Sequence, residues 1–210
     1  MRHATVRALT LRRLTGAVIV FLILAAACGR RERTPFGEGY HGVRPNPPFP
    51  KPDFTLASTD GTPFHFRQAT KGYVTLLFFG YTHCPDVCPV HMANIAAVLH
   101  RLGPEVANQV KVVFVTTDPE RDTPERLRQW LGKFDPKFIG LGGPIETVNR
   151  IQASIQLDSA ARAAGPDSSY TVDHSAMVLA YTRDDSAHFV YPFGMRQEDW
   201  ADDLPKLVKE

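Results

Sequence analysis

The run Tyr73-Val-Thr-Leu-Leu-Phe-Phe-Gly80 has almost no polar alternation. A strand whose apolar side chains point both ways must be covered on both faces, which calls for a sheet sandwiched between helices. A second such run, Lys111-Val-Val-Phe-Val-Thr-Thr117, lies some thirty residues further on. Between them a helical period extends from about Pro89 to Leu102, with Ile95, Val98, Leu99 and Leu102 on one face, and Gly103-Pro104 ends it. Strand, helix and strand of this content make a βαβ unit.

The flanking segments extend the pattern. Phe54–Phe66 reads as a hairpin turning at Asp60-Gly61. Asp122-Thr-Pro-Glu125 opens a helix to about Lys133, with Asp122 or Thr123 as cap and Pro124 in the first turn. A short strand at Phe138–Leu141 and a helix at Pro144–Ser154 follow. Ser175–Tyr181 and His188–Phe193 read as paired strands turning at Arg183–Ser186, and Glu198–Lys209 as a closing amphipathic helix. The expectation is an α/β, thioredoxin-like fold: a central mixed sheet, flanking helices and an N-terminal β-hairpin extension.

The first 28 residues carry no part of that pattern. Arg2, Arg7, Arg12 and Arg13 precede the 14-residue apolar stretch Leu14–Ala27. That length falls short of the roughly 20 residues of a spanning helix and suits a signal sequence. Ala25-Ala26-Ala27-Cys28-Gly29 resembles a bacterial lipoprotein cleavage box, making Cys28 the expected lipidation site, with an uncleaved signal anchor or ordinary cleavage as the alternatives. Residues 29–52 contain Pro35, Pro45, Pro47, Pro48, Pro50 and Pro52 and read as a tether, which at about 3.1 Å per residue reaches roughly 70 Å. The chain thus divides into a leader (1–28), a tether (29–52) and a domain (53–210) held on the outer, periplasmic side of a bacterial membrane. The formal net charge of +2, with much of the positive charge in the leader, excludes a nucleic-acid surface.

With Cys28 assigned to the leader, Cys84 and Cys88 remain as a pair in Thr82-His-Cys-Pro-Asp-Val-Cys-Pro89, directly after the first buried strand. Pro89 disfavours helical geometry at Cys88, which puts the helix start at Pro89 and Cys88 at its cap. A helix N-terminus lowers a thiol pKa. Such a pair serves as a structural disulfide, a redox couple or a metal site, and its place between a core strand and a helix favours the functional alternatives. Two thiolates are soft donors suited to Cu(I), which accepts two or three ligands. Thioredoxin-type reductases face their cysteines with a cis-proline at the start of a later strand. Here Tyr170-Thr-Val-Asp-His174 precedes the corresponding strand, so His174 would complete a Cys₂His trigonal site. His83 and His91 are weaker ligand candidates, His91 being placed on a solvated helix face. Met177 and Met195 are read as core filling.

Four segments together resemble the Sco/SenC family of copper-binding assembly proteins of cytochrome c oxidase. They are Phe79-Gly-Tyr-Thr-His-Cys-Pro-Asp-Val-Cys-Pro89, Thr117-Asp-Pro-Glu-Arg-Asp-Thr-Pro-Glu125, Ile139-Gly-Leu-Gly-Gly-Pro144 and Val172-Asp-His-Ser175. The resemblance implies Cys84, Cys88 and His174 as ligands of copper, as Cu(I) or Cu(II), with Cys84 and Cys88 also a redox-active pair. Asp86 and Asp173 would stand behind the ligands, and Asp118, Arg121 and Asp122 are candidates for partner docking. The implied partner is the subunit of cytochrome c oxidase that bears the CuA centre. The implied role is copper delivery, or alternatively thiol–disulfide exchange with the cysteines of that centre or redox and copper sensing. Ile155–Ser169, rich in Ala, Asp and Ser, departs from the family's pattern.

Overall fold

The computed structural model describes residues 39–164 and 170–210. The leader, Cys28 and tether residues 29–38 lie outside them, as do residues 165–169. In chain order the elements are β1 (Phe49–Pro50), β2 (Thr55–Ser58), β3 (Pro63–His65), α1 (Phe66–Ala69), β4 (Val74–Gly80), α2 (Val87–Leu102), α3 (Pro104–Ala107) and β5 (Val110–Thr116). They continue with α4 (Pro124–Gly132), β6 (Ile139–Gly142), α5 (Ile145–Ser154), β7 (Ala161–Ala164), β8 (Tyr170–Asp173), β9 (Val178–Tyr181), β10 (Ser186–Tyr191) and α6 (Gln197–Leu207). Eight strands form one mixed sheet in the order β1-β10-β9-β4-β5-β6-β2-β3, and β7 and β8 make a separate antiparallel hairpin.

All seven residues of β4 are buried, as its composition requires. Strand alternation sends Val74, Leu76 and Phe78 into one core with Met92 and Ile95 of α2, Leu127 of α4 and Trp200 of α6. Leu77 and Phe79 enter the other with Phe66, Val148 and Ile151. β5 divides in the same way, Val112 and Phe114 on one side, Val113 and Val115 on the other.

Two features of this sheet assemble the site. β4 and β5 are parallel, with Gly80 opposite Thr116, so the loops leaving both strands emerge at the same edge. β9 runs antiparallel to β4, Leu77 opposite Leu179, so β9 begins where β4 ends. The segment that precedes β9, including His174, is thereby delivered to the cysteine loop.

Several elements differ from expectation. Helix α2 starts at Val87 with Asp86 as its N-cap, so Cys88 lies in the first turn. Pro89 is tolerated there because the N–H groups of a first turn have no intrahelical partner to lose. Thr123 caps α4 by accepting a hydrogen bond from Arg126 N, which leaves Asp122 free for another use. β9 starts at Val178 and leaves residues 174–177 without regular structure. Strand β7 occupies part of the segment that departs from the family pattern and pairs with β8, which lies just beyond it. This Ala-rich strand has little propensity of its own and is held by that pairing.

Part of the proline-rich stretch lies against the domain. Phe49–Pro50 pairs with the edge strand β10, where proline is accepted. Tyr40 stacks on Phe189, and Asp203 accepts hydrogen bonds from His41 N and Tyr191 Oη. The Lys51 ammonium is buried and lies 2.8 Å from Asp185. No helix among the described residues is long and apolar enough to cross a membrane.

Candidate metal centre

Cys84 lies in the loop between β4 and α2, Cys88 in the first turn of α2, and His174 just past β8. Their sulfur and ring nitrogen atoms all lie within 4.8 Å of one another. Cys88 Sγ is 3.5 Å from His174 Nε2, and Cys88 N donates to Cys84 Sγ at 3.4 Å. The His174 ring is oriented from behind. Its Nδ1 donates to the carbonyl oxygen of Ser175 at 2.9 Å, which leaves Nε2 facing the sulfurs. Phe78 and Tyr81 meet the ring edge-on, with centroids 5.8 and 5.6 Å away.

The two thiols differ electrostatically. A hydrogen bond from the Cys88 thiol, helped by His174 and the N–H groups of Cys88 and Asp86, holds the Cys84 pKa down to about 4 against the opposing effect of burial. Burial, followed by the hydrogen bond and charge of Cys84, pushes Cys88 far up. The metal-free pair therefore carries one proton at neutral pH, shared between a partly exposed thiolate and a buried thiol. A metal ion bound here would displace that proton and would be offered two soft sulfurs and one borderline nitrogen. This donor set fits copper.

Gly80 makes room for the buried sulfur: a Cβ there would stand 2.7 Å from Cys88 Sγ. The open side of the site is a shallow cavity of about 310 Å³, lined by Cys84, His174, Tyr81, Asp86, Asp173 and others. Asp86 and Asp173 are exposed at its mouth, where two carboxylates favour a cation.

The loop after β5 braces both halves of the site. Asp122 accepts hydrogen bonds from Thr82 N (2.9 Å), Thr82 Oγ1 (2.6 Å) and Thr116 Oγ1 (2.6 Å), pinning the residue two before Cys84. Asp118 accepts from Tyr170 Oη at 2.8 Å and pairs with Arg121. The Arg121 guanidinium lies 3.6 Å from the Tyr170 ring centroid and donates to the Tyr170 carbonyl, fastening the hairpin that carries His174. Asp118 and Asp122 are thus buried and used internally rather than offered to a partner. His83 lies 3.7 Å from Asp122 and belongs to this cluster, whose carboxylate lone pairs already receive protein donors.

His91 is buried, not solvated: it is 2% exposed, and burial lowers its pKa. Met177 is 45% exposed rather than core, whereas Met195 packs against the core. The brace was beyond sequence reasoning because Asp122 and Thr82 are separated by forty positions. The glycine that closes β4 was a readable signal for a close approach.

The SCO1/SenC sequence profile matches residues 44–209. The chain belongs to the SCO1/SenC family. The mitochondrial protein SCO2 of Saccharomyces cerevisiae is 31% identical over 158 residues, 75% of this chain and 51% of SCO2. The chain spans about half the length of the curated relatives it matches. Among solved structures, copper-bound ScoI of Bradyrhizobium japonicum is 36% identical with a TM-score of 0.64, covering 75% of this chain and 98% of ScoI. Copper-bound ScoI of Arabidopsis thaliana is 29% identical with a TM-score of 0.69, covering 76% of this chain and 98% of that one. The fold shared with these SCO1/SenC structures is thioredoxin-like.

Proposed function

We propose that this SCO1/SenC protein carries one copper ion, held by Cys84 Sγ, Cys88 Sγ and His174 Nε2, and serves the assembly of cytochrome c oxidase. The observation that carries this reading is the convergence of two sulfurs and a pre-oriented imidazole nitrogen within 4.8 Å. The copper bound in two structural relatives supports the choice of metal. The copper is cargo. Its recipient in this reading is the CuA-bearing subunit of the oxidase, met on the outer face of the membrane by a domain tethered through a lipid on Cys28. Soft trigonal ligation holds Cu(I) firmly, and the open cavity gives an acceptor's ligands a route to the metal.

The test is metal analysis of the reduced protein, wild type beside Cys84→Ser and His174→Ala, with spectra in both copper oxidation states. One copper per chain is expected in the wild type, none retained by Cys84→Ser, and strongly weakened binding in His174→Ala. A His174→Ala protein that binds both copper states as the wild type does would end the three-ligand reading.

The asymmetry of the thiols favours a second reading, thiol–disulfide exchange. The Cys84 thiolate would attack a disulfide of the target and form a mixed disulfide. Cys88, losing its proton, would then displace the target as a reduced dithiol and leave a Cys84–Cys88 bond. Exchange activity that survives His174→Ala would support this route, and sensing of copper or redox state would use the same pair.

A further inference from the structure

Of the histidines among the described residues, His91 alone is buried, yet it takes no part in the group of three donors. It lies three residues after Cys88 on α2, on the same face of the helix. Its Nε2 donates to the carbonyl oxygen of Ala176 at 3.1 Å. The ring packs on Phe78 with centroids 5.1 Å apart, and Phe78 also meets the His174 ring at 5.8 Å. Phe193 closes the outer side of His91 at 5.7 Å.

The place of Ala176 gives this hydrogen bond its consequence. Residues 174–177 belong to no strand or helix; they bridge the end of β8 and the start of β9. Within this segment His174 bonds to Ser175 O, and Met177 N reaches Ser175 Oγ at only 3.4 Å. Those contacts shape the segment without fixing its distance from the cysteine helix. Apart from the 3.5 Å approach of His174 Nε2 to Cys88 Sγ within the site itself, the His91–Ala176 bond spans that distance, from a residue one turn beyond one ligand to a residue two beyond another. The bond is half-buried on the Ala176 side and is made by a buried ring, so its loss would leave the His91 N–H without a partner in the interior and the bond resists opening.

We propose that His91 is a positioning residue for the metal centre: it ties the cysteine helix to residues 174–177 and so holds the His174 imidazole over the sulfurs. This rests on the copper reading above. Two thiolates suffice for Cu(I), whereas Cu(II) takes more of its binding from the imidazole. The loss of His91 therefore weakens Cu(II) more than Cu(I).

The experiment compares the reduced full-length protein with His91→Gln, His91→Leu and His91→Phe. Glutamine can donate from its amide, while leucine and phenylalanine fill the space and donate nothing; either apolar variant serves, if folded. Competition titrations measure both copper states, and hydrogen exchange follows residues 175–178 in the metal-free proteins. The apolar variants should bind Cu(II) about tenfold or more weakly, in the usual range for groups that orient a ligand. They should keep Cu(I) affinity within about threefold, because the dithiolate is intact. Exchange should quicken in the apolar variants, and His91→Gln should restore both properties. Wild-type Cu(II) affinity and exchange in a folded apolar variant would overturn the proposal. Loss of Cu(I) affinity well beyond threefold, alongside Cu(II), in a folded apolar variant would also overturn it, by making His91 more than a positioning residue. A wild-type protein that takes up no copper would instead sink the copper reading, while the exchange data would still decide whether His91 locks the segment.

Discussion

Adding one methyl group at Gly80 separates the fold from the site. The Cβ of Gly80→Ala would meet Cys88 Sγ at 2.7 Å, Phe78 Cε1 at 2.8 Å and Phe114 Cζ at 3.1 Å. Ordinary contact begins near 3.4 Å, so the sulfur must retreat by about 0.7 Å, against the roughly 0.5 Å that a functional constellation tolerates. Overpacking of this kind costs about 1–3 kcal/mol, which in a domain of this size lowers Tm by roughly 2–4 °C per kcal/mol. A matched control exists in Gly140→Ala, whose Cβ would stand 2.8 Å from Leu131 Cδ1 and Thr59 Cγ2, among residues that take no part in the site. Both variants should lose stability in urea titrations by similar amounts. Only Gly80→Ala should also lose copper affinity, by about tenfold or more, since one ligand atom is displaced. Equal copper affinity in the two variants would refute the claim that Gly80 seats the Cys88 sulfur.

Two further predictions concern the brace and the thiols. Asp122→Ala orphans three hydrogen-bond donors on Thr82 and Thr116 and should cost about 2–4 kcal/mol in urea unfolding, with faster hydrogen exchange at residues 82–84. No change in either would remove Asp122 from the brace. In the metal-free reduced protein, the Cys84 thiol, held down to about 4, is already thiolate at pH 5.5. Its alkylation rate should therefore vary little between pH 5.5 and 8, whereas an ordinary thiol of pKa about 8.5 would speed up more than a hundredfold over that interval. Peptide mapping should find Cys88 labelled far more slowly, as its burial demands. A steep rise in Cys84 labelling towards pH 8 would contradict the assigned asymmetry.

The sheet was legible where residues speak for themselves. The unbroken apolar content of β4 and β5 requires cover on both faces, and the Asp60-Gly61 turn marks the β2–β3 hairpin, with Gly61 at φ +84°. The three-donor group was readable because its members lie at element boundaries that the topology returns to one edge. What escaped was set by partners distant in sequence. β7 carries Ala-Arg-Ala-Ala, a poor strand by composition, and exists through its pairing with β8. Asp122 looked like a helix cap because Thr-Pro-Glu follows it, and only the fold reveals that Thr82 claims it. His91 reads as a surface residue until Phe193, 102 positions later, is seen to cover it. The docking of Tyr40 and Lys51 likewise depends on Phe189 and Asp185.

The most direct test of the copper site is X-ray absorption on the wild-type protein loaded with one equivalent of Cu(II), repeated after reduction to Cu(I). A first shell of two sulfurs and one imidazole nitrogen, with the nitrogen contribution lost in His174→Ala, is the predicted result. A shell without sulfur, or an imidazole signal that persists in His174→Ala, would contradict it.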